Sequence, residues 1–224
     1  MSSAAPQLDP QPPYGAPAKG RSPLAHLLHA LNQPLTGLQC SLELAVAGPH
    51  PTDQYIRTLR EGLELTGRMR ILVEAIRELS DLQPADAQPV QPARLDTLLR
   101  EVATDLLPVA ETKGVRLVVI SQAALVVRAD RRDLETPLFR LLESALSLAR
   151  AGSDLEIGAS LAPEHARLVV AWSPGPLPEH SPFSRPELGL LIAQAGLKQS
   201  GAEWTRTQAG TMEVCSLRLP LVAA

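Results

Sequence analysis

Leu24-Ala-His-Leu-Leu-His29-Ala-Leu-Asn-Gln-Pro34-Leu35 is the stretch on which the reading of this chain turns. Leucines at 24, 28, 31, 35, 38 and 42 recur in steps of four and three, the seam of a helix that packs on other helices. At about 100° per residue these leucines fall within roughly 40° of one line, and His29 lies about 140° from it. The spacing therefore predicts His29 in solvent, with Gln33 on the next turn of the same face. Pro34 stands inside the predicted helix, where it removes a backbone hydrogen bond and costs on the order of 3 kcal/mol if uncompensated. A histidine exposed beside a helix defect has no packing explanation, so chemistry is expected at His29.

Working outward, residues 1–21 carry prolines at 6, 10, 12, 13 and 17 among Ala, Gln and Ser. Such a stretch buries too little apolar surface to offset its ordering entropy, and a disordered tail is expected. Ser22-Pro23 supplies an N-cap and a first-turn proline for a helix to about Ala47, ended by Gly48-Pro49-His50-Pro51. A second helix is expected from Thr52-Asp53 to about Asp81, with Ile56, Leu59, Leu63, Met69, Leu72, Val73, Ile76 and Leu79 at helical spacing. The short turn makes the pair antiparallel, and a lone hairpin leaves much of the leucine stripe wet. A homodimer in which two hairpins form a four-helix bundle is the economical solution.

Composition narrows the function classes. The chain has 224 residues, 45% of them hydrophobic, and a formal net charge of −3. Arginines are interleaved with acids rather than gathered in a block, so charge points to neither nucleic acid nor a membrane surface. Cys40 and Cys215 have no paired spacing, and the histidines at 26, 29, 50, 165 and 180 make no ligand pattern, so no metal site is expected. No apolar run approaches the ~20 residues of a membrane helix, and no signal-peptide pattern opens the chain. A cytoplasmic protein is expected.

The residues His29-Ala-Leu-Asn-Gln-Pro34-Leu35 resemble the phosphoacceptor box of bacterial two-component histidine kinases. That box has histidine, usually an acid, two variable positions, a polar residue, then proline and an apolar residue. His29, Pro34 and Leu35 match its skeleton, and Ala30 stands where the acid belongs. His26, one turn earlier, is the competing histidine, but Pro34 and Leu35 register on His29. Histidine-kinase dimerisation domains are helical hairpins of the kind expected over residues 22–83, with the phosphoacceptor outward on the first helix.

Gln83 to Pro92 is punctuated by prolines and forms the expected domain boundary, a linker over 84–92. Beyond it the pattern changes to an amphipathic helix from Arg94 to Val109, a strand Val115–Ile120 and a short strand Ala124–Arg128. Asp130 then caps a helix to about Arg150. Strands over Leu155–Leu161 and Arg167–Trp172, a loop from Ser173 to Ser184, a helix from Pro186 to Gln199 and two last strands around Gln208-Ala-Gly210 complete the order. The expected fold class is α+β: a helical hairpin followed, over 93–224, by an α/β sandwich with one sheet and helices on one face.

This order after a phosphoacceptor hairpin resembles the ATP-binding domain of histidine kinases, of the superfamily shared with gyrase and the ninety-kilodalton heat-shock chaperone. Asp130-x-x-Asp133-Leu134 is similar to the entry of the family's central helix. Leu188-Gly-Leu-Leu-Ile-Ala193 resembles the end of its second glycine box, and Gly201 with Gly210-Thr211 its closing hairpin. The nucleotide ligands depart from the pattern. In the family's Asn-Leu-Leu-x-Asn-Ala box the second asparagine ligates Mg²⁺; here the box is Arg140-Leu-Leu-Glu-Ser144-Ala145. The Asp-x-Gly-x-Gly box, whose acid accepts from adenine, is matched by Ala171-Trp-Ser-Pro-Gly175-Pro-Leu177, without an acid. The Gly-x-Gly-Leu turn is reduced to Pro186-Glu187-Leu188-Gly189, with a negative charge where phosphates would lie. A degenerate pocket near Arg140, Ser144, Gly175 and Gly189 is expected, with ATP and Mg²⁺ binding lost and no cofactor of its own.

The resemblance implies a degenerate, kinase-derived histidine phosphotransferase. His29 would carry a phosphoryl group between the receiver aspartates of response regulators, with Asn32, Gln33 and Pro34 in support and Mg²⁺ supplied by the receiver. Ala30 cannot take the histidine's proton during attack on ATP, which fits a chain without autophosphorylation. The competing readings are an active histidine kinase with a divergent pocket, which predicts ATP-dependent labelling of His29, and a non-catalytic dimeric scaffold in which His29 is never phosphorylated.

Overall fold

The computed structural model describes residues 22–82, 91–122, 124–176 and 183–222. The tail expected over 1–21 lies outside the described residues, as does most of the linker expected over 84–92.

Helix α1 (Pro23–Val46) runs through Pro34, and α2 (Thr52–Asp81) returns beside it. The turn between them is pinned locally. The Tyr55 hydroxyl donates to Gly48 O at 3.2 Å and receives His50 N–H at 3.3 Å, while the His50 ring lies 3.0 Å from Leu44 O. Glycines let the helices approach: Leu65 lies on Gly37, and Leu38 lies 3.2 Å from where a Cβ on Gly62 would stand. Ser22 sits at the N-cap, but its side chain makes no capping bond; its carbonyl accepts His26 N–H at 3.1 Å.

The second unit begins with strand β1 (Ala93–Arg94) and helix α3 (Leu95–Lys113). This helix passes the expected end at Val109, because Pro108 does not stop it and Gly114, at φ +67°, supplies the left-handed cap. Strands β2 (Arg116–Ser121) and β3 (Val126–Val127) follow, then α4 (Arg131–Leu148), whose start is capped by Asp130 Oδ1 accepting Arg132 N–H at 2.9 Å. Strands β4 (Asp154–Leu161) and β5 (His165–Trp172), helix α5 (Arg185–Gln199), and strands β6 (Glu203–Ala209) and β7 (Met212–Pro220) complete the chain.

There are two sheets among the described residues, where one was expected. The main sheet has the order β2-β4-β5-β7-β6, and β3 pairs with β1 in a separate two-stranded sheet. β2 and β4 are parallel, a pairing that needs the long crossover α4 supplies; the remaining pairs are antiparallel. Alternation along the strands sends Leu155, Ile157, Leu168, Val170, Trp172, Cys215, Leu217 and Leu219 into one core with α3, α4 and α5. Glu156, Ser160, Arg167 and Arg218 stay exposed, so the helices cover one face only.

The start of α3 is locked by a buried carboxylate. Asp96 is fully buried and accepts from Arg94 Nη2 at 3.1 Å and Arg100 Nη2 at 2.9 Å. It also takes the backbone N–H of Ala124, whose φ of +60° is rare for a residue with a Cβ. Burial pushes its pKa up, but the hydrogen bond and charge of Arg94, the Ala124 amide and Arg100 outweigh it, leaving the carboxyl below the usual range.

Candidate functional site

On α1 the residues that become buried are Leu27, Ala30 and Pro34, not the leucine seam. Leu28, Leu35 and Leu42 remain 48%, 50% and 46% exposed in the protomer. The reason is geometric. α2 meets α1 on a face roughly 90° from the leucine line, which leaves Leu28, Leu35 and Leu42 largely uncovered while Leu24, Leu31 and Leu38 are half-buried. Leu27 and Ala30 join Leu72 and Ala75 of α2 and Leu188 and Ile192 of α5 in a second apolar cluster.

His29 stands on the opposite side of Ala30 from that cluster and is exposed. Its ring makes no hydrogen bond or ion pair with any described residue. Asn32 and Gln33 are exposed as well, and neither side chain hydrogen-bonds the imidazole; besides the helix's own backbone bonds, the Asn32 carbonyl accepts Thr36 Oγ1 at 2.9 Å. Pro34 is buried within the unbroken helix. From Pro23 to Leu42 the helix carries no Asp, Glu, Lys or Arg, so no fixed charge on α1 stands near the ring. His26, also exposed, is in ring contact with Phe183 at 5.4 Å between centroids.

Of the residues expected at the degenerate pocket, Ser144 and Gly189 meet where α5 lies on α4. Ser144 is buried, and a Cβ at Gly189 would collide with its hydroxyl. Two turns on, a Cβ at Gly196 would stand 2.6 Å from Pro137 Cγ. Gly175 N–H donates to Leu148 O at 2.8 Å and Arg150 N–H donates to Ser173 O at 2.8 Å, stitching the loop after β5 to the end of α4. Trp172 is fully buried there, with no partner for Nε1 among the described residues. Arg140 turns away toward the hairpin, to Glu78 of α2 at 2.9 Å and Glu143 at 2.9 Å. Two shallow concavities, one at Leu42 to Ala47 and one at Pro108 to Lys113, touch none of these residues.

Glu187, in the first turn of α5, is held by Arg206 of β6 through a bidentate pair at 2.7 and 3.0 Å, and Arg206 also holds Glu213 at 2.6 Å. Burial opposes the charge on Arg206, but the two carboxylates more than offset it and raise its pKa. The same burial pushes the Cys215 thiol up to about 12. Sequence reasoning placed a negative charge at Glu187 but not its partner, because nothing in a pattern of spacings links it to a residue nineteen positions on. It also missed Glu78 and the apolar cluster that Ala30 shares with α5. Gly189 and Gly196, seven residues apart on one helix, were the available signal for the close α4–α5 approach.

No family model matches the chain, and no curated protein matches it. Solved structures do. Acinetobacter baumannii histidine kinase AdeS aligns over 86% of this chain and 98% of its own, with 17% identity and a TM-score of 0.55. A histidine kinase from Burkholderia phymatum STM815 aligns over 91% of this chain and 100% of its own, at 17% identity and a TM-score of 0.53. Full-length ShkA in complex with AMPPNP aligns over 90% of this chain and 46% of its own, at 20% identity and a TM-score of 0.55. At these identities the likeness is one of fold: a helical hairpin followed by the histidine-kinase type of ATPase domain. Among the described residues no helix is long and apolar enough to cross a membrane, and no three His, Cys, Asp or Glu gather as a metal site.

Proposed function

We propose that the protein is a histidine phosphotransferase of two-component signalling, carrying a phosphoryl group on His29 between receiver aspartates. The observation that carries the reading is His29 itself, exposed on α1 with no hydrogen-bond partner among the described residues. An imidazole held in that way is accessible to a second protein, and near neutral pH it is the side chain suited to nucleophilic attack. Its free ring nitrogen attacks the phosphorus of a receiver aspartyl phosphate. The P–O bond to the aspartate breaks, the carboxylate leaves with that electron pair, and the second ring nitrogen keeps its proton. Transfer to the next receiver runs the same step in reverse. The receiver contributes the Mg²⁺ and the cationic side chain that neutralise the transferring group, so this chain supplies nucleophile and docking surface.

Three features support loss of the ATP reaction. Ala30 offers no proton acceptor next to His29. Ser144 and Gly189 are in contact across the α4–α5 interface. Glu187 and Arg206 neutralise each other at the helix start where phosphates would be drawn. The exposed Leu28, Leu35 and Leu42 favour a homodimer through the hairpin. The test offers the full chain a labelled phospho-receiver in one tube and labelled ATP with Mg²⁺ in another. Label from the receiver alone is the expected result. Label from ATP makes the protein a kinase, and label from neither leaves a scaffold.

A further inference from the structure

We propose that Arg140 and Glu78 form a strut that holds the second unit in one orientation on the hairpin, so that α5 is fixed relative to the helix that carries His29 and positions an incoming receiver. The strut is independent of the phosphotransfer reading; its effect on a receiver rests on that reading. Arg140 puts one guanidinium arm on Glu78 of α2 at 2.9 Å, and its other arm, held by Glu143 of its own helix at 2.9 Å, fixes its orientation. Arg140 and Glu78 side chains are 31% and 37% exposed, so the pair is only partly screened by solvent.

The strut does not act from a single point. Arg185 of α5 approaches Glu74 at 4.0 Å, and Gln199 Nε2 donates to Leu82 O at 3.3 Å. From Glu74 to Leu82 these contacts span about 12 Å of α2 at 1.5 Å per residue. Between them Leu188 and Ile192 share one apolar cluster with Leu27, Ala30, Leu72 and Ala75. Anchors spaced along one helix, with a further apolar contact on a second, remove the pivot about which a tethered domain swings. Ala30 gains a second meaning here. It is 3% exposed within the cluster that α1, α2 and α5 share, so an acid at that position would lie unpaired among apolar side chains. The alanine that removes a proton acceptor from His29 also keeps an unpaired charge out of that cluster.

The test uses the full chain with Arg140→Glu, with Glu78→Arg, and with both together, which rebuilds the pair in reverse. Amide hydrogen exchange is followed over 27–30 and 188–192, and phosphoryl uptake is followed against receiver concentration. Each single reversal is expected to speed exchange in both segments by about ten-fold. It should raise the receiver concentration for half-maximal uptake by a similar factor while the saturating rate stays within about two-fold. The double reversal should restore both readouts. Single reversals that exchange like the parent, or a double reversal that fails to restore protection, overturn the strut. If no receiver labels the parent protein, the phosphotransfer reading falls, and the exchange measurements still decide the strut.

Discussion

At the scale of single residues, Ala30 shows what a linear pattern conveys and what it omits. Its departure from the histidine-kinase box is plain in the sequence, because the box fixes which residue should follow the histidine. Its burial in a cluster with Leu188 and Ile192 is not, because those residues lie more than 150 positions away. His29 is the opposite case: it lies far both from the leucine line and from the face of Leu27, Ala30 and Pro34 that is buried, so it is exposed as the periodicity expects although the buried face is not the leucine line. Asp96 was invisible as anything but a first-turn acid, since its burial depends on Arg94, Arg100 and the Ala124 amide arriving together. Asp96→Asn is expected to cost about 2 kcal/mol of stability, the usual penalty for weakening a buried, hydrogen-bonded charge. Because the native carboxyl titrates below its unfolded value of about 3.9, that contribution is complete above this pH and is lost as pH falls through the depressed native value. Urea denaturation of parent and variant at pH 7 and pH 3 should therefore give a large gap that narrows in acid. A gap independent of pH would show that Asp96 acts by packing alone.

At the scale of elements, helices and strands were legible because their punctuation is local. Gly48-Pro49 ends α1, Asp130 caps α4, and period-two alternation marks β4 and β5. The failures share one cause: partners outside the local window. β3 has only two residues because its partner is β1, ahead of α3, and the alternation around it carries no trace of that pairing. α3 runs to Lys113 because its far turns pack on the core through Leu106 and Ala110, which outweighs the defect at Pro108. The α4–α5 contact turns on glycines whose absent side chains no propensity scale reports. Gly196→Ala is expected to destabilise by about 1–3 kcal/mol, because the rigid Pro137 ring and Leu82 leave no room for a methyl group. Gly67→Ala, where a Cβ meets nothing within 4 Å, should stabilise α2 by up to about 1 kcal/mol. Opposite shifts of the two thermal midpoints check the pair, and equal shifts would contradict the packing.

At the scale of the whole molecule, the hairpin carries its unpaired apolar surface on one side and the second unit on another, with His29 away from both. The leucine stripe is expected to be covered by the same stripe of a second copy. Leu28→Glu with Leu35→Glu should halve the mass seen by sedimentation while leaving the circular dichroism spectrum of the second unit intact; an unchanged mass would place the dimer contact elsewhere. In the account proposed here the two units divide the work, one presenting a nucleophile and the other a fixed surface, with no nucleotide between them. The most direct test is to locate the phosphoryl group after the full chain meets receiver domains of its own organism charged with acetyl phosphate. Peptide mass spectrometry under conditions that spare phosphohistidine should find the group on the segment 23–46, at His29, and His29→Gln should take up none while His26→Ala behaves as the parent. Phosphoryl transfer that survives in His29→Gln, or a group that appears on His29 only when ATP is supplied, would contradict the account.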